Sequence, residues 1–144
     1  MAAITVTAAN VLRVDGEVEK NGFLSGVAIT AGDAVYVDSS GVVQLLTNAT
    51  SAGSGVGAQL VGVALNDAPG AGQPVFILKH GGTINIGGTV AVGKQYCAGT
   101  AGGIIPVDDI ATGEYITTVG VGLTAANIKL GFNVSGVQAA GAVA

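Results

Sequence analysis

The sequence predicts an all-β protein, a compact barrel- or sandwich-like domain built from two duplicated β units with an extended N-terminal arm. Two features of composition and pattern support this prediction. The apolar residues are mainly Val, Ile, Ala and Leu, and 25 of the 144 residues are Gly. β-Branched residues together with turn-forming glycines favour short strands over helices. Short apolar runs also alternate with turn sequences, as expected for a sandwich or barrel.

The duplication is visible in the segment Ile29–Gln44, whose pattern returns at Val90–Ile105. Each copy has an apolar approach, a glycine turn, a strand, a second glycine turn and a further strand. The matched glycines are Gly32 with Gly93 and Gly41 with Gly102, both at an offset of 61 (93 − 32 and 102 − 41). The aspartates of the first copy have no acidic counterpart in the second. The repeat therefore preserves turn geometry and not charge, which indicates a scaffold.

Taken in order, the chain divides into four regions. We predict an N-terminal arm and first strand in residues 1–21, a first β unit in 22–80, a second β unit in 81–132 and a flexible C-terminal tail in 133–144. Alternating or continuous apolar runs bounded by Gly, Pro, Asn and Asp mark the strands. The predicted strands are Val11–Val18, Val27–Ile29, Ala34–Val37, Val42–Leu46, Gln59–Leu65, Pro74–Lys79, Thr83–Ile86, Thr89–Val92, Gln95–Ala98, Gly103–Val107, Glu114–Leu123 and Ala126–Phe132.

The arm Ala2–Asn10 is apolar and nearly uncharged. Such a segment either packs on its own domain or adds a strand to a neighbouring chain, since exposed sheet edges accept extra strands. We favour the second alternative. The candidate residues for contact with another protomer or a shell are Ile4, Val6, Asn10, Val11 and Leu12.

The charge balance restricts the possible partners. Nine acidic and five basic residues give a net charge of −4, and the isolated basic residues predict no binding to nucleic acid or to an anionic membrane. So few charges also leave a neutral surface. Two explanations remain open: partners cover much of it, or Ser, Thr, Asn and Gly keep it hydrated.

No residue pattern predicts catalysis, a cofactor or a metal site, so we expect a protein that is not an enzyme. His80 is the single histidine and lacks a nucleophile motif, which favours a solvated turn residue. Asp108, Asp109 and Glu114 lack the ligand spacing of a calcium loop. The glycine-rich segments precede no helix that could cradle phosphate, and hairpin turns explain them better. The tyrosines Tyr36, Tyr96 and Tyr115 are expected at the edge of the core with their hydroxyls in solvent.

The chain has one cysteine, Cys97, which we expect to be buried and inert. A single cysteine excludes an internal disulfide and fits a protein made in a reducing compartment. The N-terminus lacks the basic and apolar regions of a signal peptide, and no apolar run is long enough for a membrane span.

Several segments in order resemble the capsid cement, or head decoration, proteins of tailed bacteriophages. The resemblance extends from about residue 4 to residue 132. The matching segments are ITVTAANV at 4–11, ITAGDAVYVDSSG at 29–41, VGVALNDA at 61–68, VGKQYCAGTAGGI at 92–104 and GEYITTVGVGL at 113–123.

This resemblance implies a structural virion protein on the outer surface of an icosahedral head, made in the cytoplasm of the bacterial host. The implied partner is the major capsid protein, whose expanded shell the bound protein would stabilise. The resemblance also implies a homo-oligomer, with a trimer favoured, and no catalytic residues. The alternatives are a head-fibre base, a tail structural module, or a carbohydrate-binding module displayed on the virion. Scarce aromatic residues argue against the last of these.

Overall fold

The computed structural model describes residues 3–19 and 22–140. The described residues form an all-β fold of two six-stranded sheets, which confirms the predicted fold class. The strands are β1 (Leu12–Asp15), β2 (Phe23–Ser25), β3 (Ala34–Val37), β4 (Val42–Leu45), β5 (Leu60–Ala64), β6 (Pro74–Val75), β7 (Ile77–Leu78), β8 (Thr83–Asn85), β9 (Gln95–Ala98), β10 (Ile104–Pro106), β11 (Tyr115–Gly122) and β12 (Asn127–Gln138). Three short 3-10 turns lie at Ala8–Asn10, Ala52–Ser54 and Val107–Asp109.

One sheet has the strand order β6-β2-β4-β3-β5-β7 and is nearly closed into a barrel. It closes because β6 and β7 are successive parts of one segment, interrupted only at Phe76. β6 pairs with β2 at one end of the strand order, and β7 pairs with β5 at the other. Apolar side chains fill the interior of this barrel. They are Ile29, Val35, Val37, Val43, Ala64, Ala68, Val75 and Ile77.

The other sheet, which we call the open sheet, has the order β1-β8-β12-β11-β9-β10 and is antiparallel throughout. Its run β10-β9-β11-β12 repeats the barrel's run β4-β3-β5-β7, as a duplication requires. All four turn glycines of the repeat have left-handed backbones, with φ of +93°, +82°, +78° and +78° at Gly32, Gly41, Gly93 and Gly102. Only glycine adopts this conformation readily, so the sequence repeat marks the places where the backbone requires it.

The main core lies between the outer wall of the barrel and the inner face of the open sheet. The barrel contributes Ala34, Leu46, Val63 and Leu78, and the other half of the molecule contributes Ile84, Ile86, Val90, Tyr96, Ala98, Ile104, Val119, Ile128 and Leu130. A smaller cluster of Cys97, Ile110 and Ala139 covers part of the sheet's opposite face. The apolar layers account for why two small sheets form one structure.

A turn of the second repeat joins the two halves through backbone hydrogen bonds. The amide of Ala34 donates to the carbonyl oxygen of Gly102 at 2.9 Å, and the amide of Gly102 donates to that of Leu46 at 2.7 Å. The amide of Asn48 donates to the Gly99 carbonyl oxygen at 3.0 Å. This turn therefore extends the backbone pairing of the barrel into the open sheet.

The predicted tail, residues 133–144, contains the end of β12 in the part that the structure describes. β12 continues to Gln138 and pairs with β11 as far as Tyr115, and Ala139 is buried. Backbone pairing and the burial of Ala139 hold this segment without any charged side chain. Residues 141–144 lie outside the described residues.

Three strand predictions also need correction. β1 ends at Asp15, because Gly16 turns the chain with a φ of +102°. Val27–Ile29 is not a strand and contributes a single bridge from Ile29, whereas Phe23–Ser25 forms an unpredicted strand parallel to β4. Thr89–Val92 runs beside the sheet without entering its ladder.

We predict that Gly102→Ala destabilises the protein more than Gly93→Ala. The two glycines share a φ of +78°, so both variants incur the left-handed cost of about 1–2 kcal/mol. A Cβ at Gly102 would also lie 2.9 Å from Leu45 Cδ2 and 3.1 Å from Asp33 Cβ, whereas one at Gly93 meets nothing within 4 Å. Overpacking should add about 1–3 kcal/mol. If the two variants lost equal free energy of unfolding, the close packing of Gly102 against Leu45 and Asp33 would be contradicted.

Candidate functional site

The N-terminal arm packs on its own domain. Ile4, Val6 and Val11 are half-buried and contact the main core. The amide of Ile4 donates to the Ile104 carbonyl oxygen at 2.9 Å, which places the arm along the outer edge of β10. For these three residues the structure shows packing on their own domain, which is the alternative that we did not favour. Their apolar side chains are partly buried against the main core of the same chain.

Three glycines form the seat of the arm. A Cβ at Gly88 would lie 2.5 Å from the carbonyl oxygen of Thr5, and one at Gly87 would lie 2.5 Å from that of Thr7. A Cβ at Gly32 would lie 2.7 Å from Val6 Cγ1. Such close approach is possible only where a side chain is missing.

The remaining two arm candidates, Asn10 and Leu12, are exposed. Leu12 has 64% of its surface exposed and belongs to β1, the edge strand of the open sheet. A contact role for the arm stays a prediction, and these two side chains are the ones accessible for it.

Among residues 3–19 and 22–140, no layer packs on part of the open sheet's outer face. We call this surface the open face and define it as Leu12, Asn85, Asn127, Lys129, Val121 and Leu123. The register places Leu12 opposite Asn85, Asn85 opposite Asn127, and Lys129 opposite Val121. Val121 and Leu123 are about half exposed. Exposed apolar side chains on an uncovered sheet are typical of an interaction surface.

The alternation of residues along β11 does not predict which side chains form the open face. Val119, Val121 and Leu123 alternate with glycine and should point the same way. A bulge between Thr118 and Gly120 reverses this alternation, so that Val119 enters the core while Val121 faces solvent. One extra residue in a strand changes its facing in this manner.

A second apolar surface lies on the barrel wall made by β2 and β6. We call it the barrel patch and define it as Leu24, Pro74, Phe76 and Asp67. Leu24 pairs with Pro74 across the strands, and Phe76 has 53% of its surface exposed. The Oδ1 of Asn66, the residue before Asp67, accepts the Phe76 amide at 2.7 Å, while the Asp67 carboxylate accepts the Ala31 amide at 2.9 Å.

A groove of about 650 Å³ runs beside His80, between the loop at residues 55–60 and the end of β12. His80 is exposed, and its Nδ1 accepts the amide of Phe132 at 3.0 Å. Ser135, also in the groove, donates its hydroxyl to the Ile116 carbonyl oxygen. Both side chains are thus engaged with backbone groups, and neither arrangement provides an activated nucleophile.

The acidic cluster forms ordinary turn contacts. Asp108 Oδ2 accepts from Lys94 Nζ at 2.7 Å, and this hydrogen bond lowers the pKa of the Asp108 carboxyl. Glu114 Oε1 accepts the amide of Ala111 at 2.7 Å. Among residues 3–19 and 22–140, no group of three or more His, Cys, Asp or Glu side chains could hold a metal ion.

Two further residues differ in environment. Tyr96 is fully buried, and its hydroxyl accepts the amide of Ala91 at 2.9 Å, so the prediction of a solvent-facing hydroxyl is wrong for it. Cys97 is buried as predicted, and burial raises the pKa of its thiol to about 11.

Comparisons with protein-family models, curated proteins and solved structures found no match to this chain. The helical turns in the described part of the chain are three residues long, and none could span a bilayer.

We predict that Gly88→Ala releases the arm while the rest of the fold persists. The new methyl group collides with the arm backbone at Thr5, so the amides of Ile4 and Thr7 should exchange with deuterium at least about tenfold faster, as expected when local opening becomes easier. Gly131→Ala is the matched control, since nothing lies within 4 Å of its added Cβ. Unchanged exchange in Gly88→Ala would contradict the seat.

We also predict that Cys97 resists alkylation in the folded protein. A thiol with a pKa of about 11 holds almost no thiolate at pH 8, and burial blocks access. Iodoacetamide should modify it only after denaturation, as measured by intact mass. Rapid modification under native conditions would show that the smaller cluster of Cys97, Ile110 and Ala139 opens.

Proposed function

We propose that this chain is a structural virion protein that binds the outside of a phage icosahedral head and stabilises the expanded capsid. The observation that carries the proposal is the open face, where Leu12 and Val121 are exposed on strands and Leu123 is exposed just after β11, in an otherwise well-packed fold. A sheet with apolar residues on both faces normally buries both. The resemblance to capsid cement proteins supplies the kind of partner, the major capsid protein.

The electrostatics support an outer position on the head. A net charge of −4 disfavours contact with packaged DNA, whose phosphates attract basic surfaces. Neutral apolar surfaces, in contrast, suit contact with other protein subunits because few charges must be desolvated.

Stabilisation of the expanded shell requires binding alone and no catalytic step. A protein that binds only the expanded shell stabilises that state by linkage, in proportion to its occupancy. Repetition over the lattice multiplies modest affinities, because neighbouring contacts act at a high effective concentration. The proposed unit is a homo-oligomer, with a trimer favoured by the resemblance.

The test is to add purified protein to undecorated expanded heads of the phage whose genome encodes it. We expect ordered density on the outer surface by cryo-electron microscopy and a higher temperature of head rupture. Leu123→Asp should weaken head binding at least about tenfold if the open face makes contact, directly or through assembly. Val56→Asp is the control, because Val56 is equally exposed, at 48% against 51%, and lies outside the open face.

Absence of binding to heads would contradict the proposal. Density on the tail or at a fibre base would instead support the alternative virion roles.

A further inference from the structure

Two carboxylates bind one turn beneath the N-terminal arm. We call this turn, residues 30–33 immediately before β3, the arm turn. The amide of Thr30 donates to Asp33 Oδ2 at 2.9 Å, and the amide of Ala31 donates to Asp67 Oδ1 at 2.9 Å. Because these two amides are consecutive, the carboxylates of Asp33 and Asp67 bind to adjacent positions on the same short piece of backbone.

In the described part of the chain, the segments around this pair supply no cation. Residues 22–78 contain no Lys, Arg or His, and their third acidic residue, Asp38, lies at the other end of β3. The arm at 3–11 and the segments 86–92 and 99–107, all of which approach the arm turn, carry no charge. Burial raises the pKa of the Asp33 carboxyl, the hydrogen bond from Thr30 lowers it, and repulsion from ionised Asp67 raises it again, with a net increase.

The arm turn supports both the arm and the junction between the two halves of the molecule. A Cβ at Gly32 would lie 2.7 Å from Val6 Cγ1 and 3.0 Å from Val11 Cγ2, so both arm side chains lie directly on the backbone of this turn. A Cβ at Gly102 would lie 3.1 Å from Asp33 Cβ, so the arm turn also contacts the glycine turn of the second repeat. A change in the arm turn therefore reaches the arm through direct contacts.

We propose that Asp33 and Asp67 form a pH-sensitive switch that holds the arm more firmly when Asp33 is protonated than when both carboxylates are ionised. Protonation removes one of two like charges, and the carbonyl oxygen of the neutral carboxyl can still accept the Thr30 amide. With both groups ionised, repulsion loosens the turn on which Val6 and Val11 lie. The arm then leaves its seat more readily, and its apolar side chains become available to a partner. The switch operates within one chain and does not rest on the proposed binding to heads.

The direction of the pH dependence follows from the raised pKa of Asp33. A carboxyl whose pKa is higher in the folded state than in the unfolded state binds its proton more tightly when folded. Protonation of Asp33 therefore stabilises the folded state as the pH falls from neutral through this raised pKa, and the contribution is lost as the pH rises through it. The carboxyl of Asp108, whose pKa is lowered by Lys94, loses its contribution only at lower pH. Measurements above about pH 4.5, above the ordinary carboxyl pKa of about 3.9, thus isolate the switch.

Hydrogen–deuterium exchange of the full-length protein tests the switch, in buffers that contain EDTA so that no metal ion neutralises the carboxylates. Each rate is divided by the intrinsic exchange rate at the same pH, because intrinsic exchange itself changes with pH. On going from about pH 7 to about pH 4.5, we expect the amides of Ile4 and Thr7 to become at least about twofold better protected, since the arm opens less often. The amide of Gly93, which donates to the Gly122 carbonyl oxygen in the open sheet, should not change.

Neutral variants of the same shape assign the effect to the pair. Asp33→Asn should remove the pH dependence of arm protection and keep the arm firmly held at neutral pH, because the Asn Oδ1 can still accept the Thr30 amide. Asp67→Asn should reduce the dependence without removing it, because Asp33 stays buried. Asp38→Asn is the matched control: Asp38 also accepts a turn amide, from Val42, but at the far end of β3. It should leave the dependence unchanged.

Arm protection that is independent of pH in the unaltered protein would overturn the proposal. A dependence of undiminished size in Asp33→Asn or Asp67→Asn would also overturn it. If the amide of Gly93 follows the arm amides, the effect belongs to the whole fold and the switch beneath the arm is excluded. Circular dichroism checks that each variant folds, and the unaltered protein together with Asp67→Asn decides the outcome even if Asp33→Asn does not fold.

Discussion

The fold depends on the backbone hydrogen bonds between the second repeat's glycine turn and the barrel. Gly102 both accepts from Ala34 and donates to Leu46, so a single turn connects the edge of one sheet to the strands of the other. Apolar packing alone is not directional and would leave the angle between two small sheets loosely determined. These hydrogen bonds determine the angle between the sheets, and the left-handed backbone at Gly102 allows the turn to approach the barrel strands.

This junction explains how a nearly uncharged protein presents rigid surfaces. The barrel has its own interior, the open sheet shares the main core, and a third cluster stabilises part of the sheet's far side. In the part of the chain that the structure describes, the uncovered apolar area is therefore limited to the open face and the barrel patch, together with scattered valines and the groove near His80. Because four of the strands under these surfaces, β2, β8, β11 and β12, are paired on both sides, little ordering cost is expected on binding.

Features that arise from local backbone constraints were predictable from the sequence. The glycine turns at Gly32, Gly41, Gly93 and Gly102 belong to this class, because a left-handed backbone nearly requires glycine. The surfaces were not predictable, because they depend on pairing between distant segments. The bulge beside Val119 reverses the facing of Val121, and the arm's seat combines glycines from both halves of the chain. A three-residue strand such as β2 also gives too short an apolar pattern to be distinguished from a loop.

The nearly closed barrel also limits aggregation when many copies of the protein lie close together. Unpaired strand edges recruit other strands and cause aggregation, and the barrel limits them because β6 and β7, at the two ends of its strand order, are successive parts of one segment. On the open sheet, β10 is bonded by Ile4 and contains Pro106, which has no amide hydrogen, while β1 is interrupted by a bulge next to Arg13. Many copies could therefore be crowded side by side without fusing their sheets, which leaves association to side-chain contacts that can be reversed.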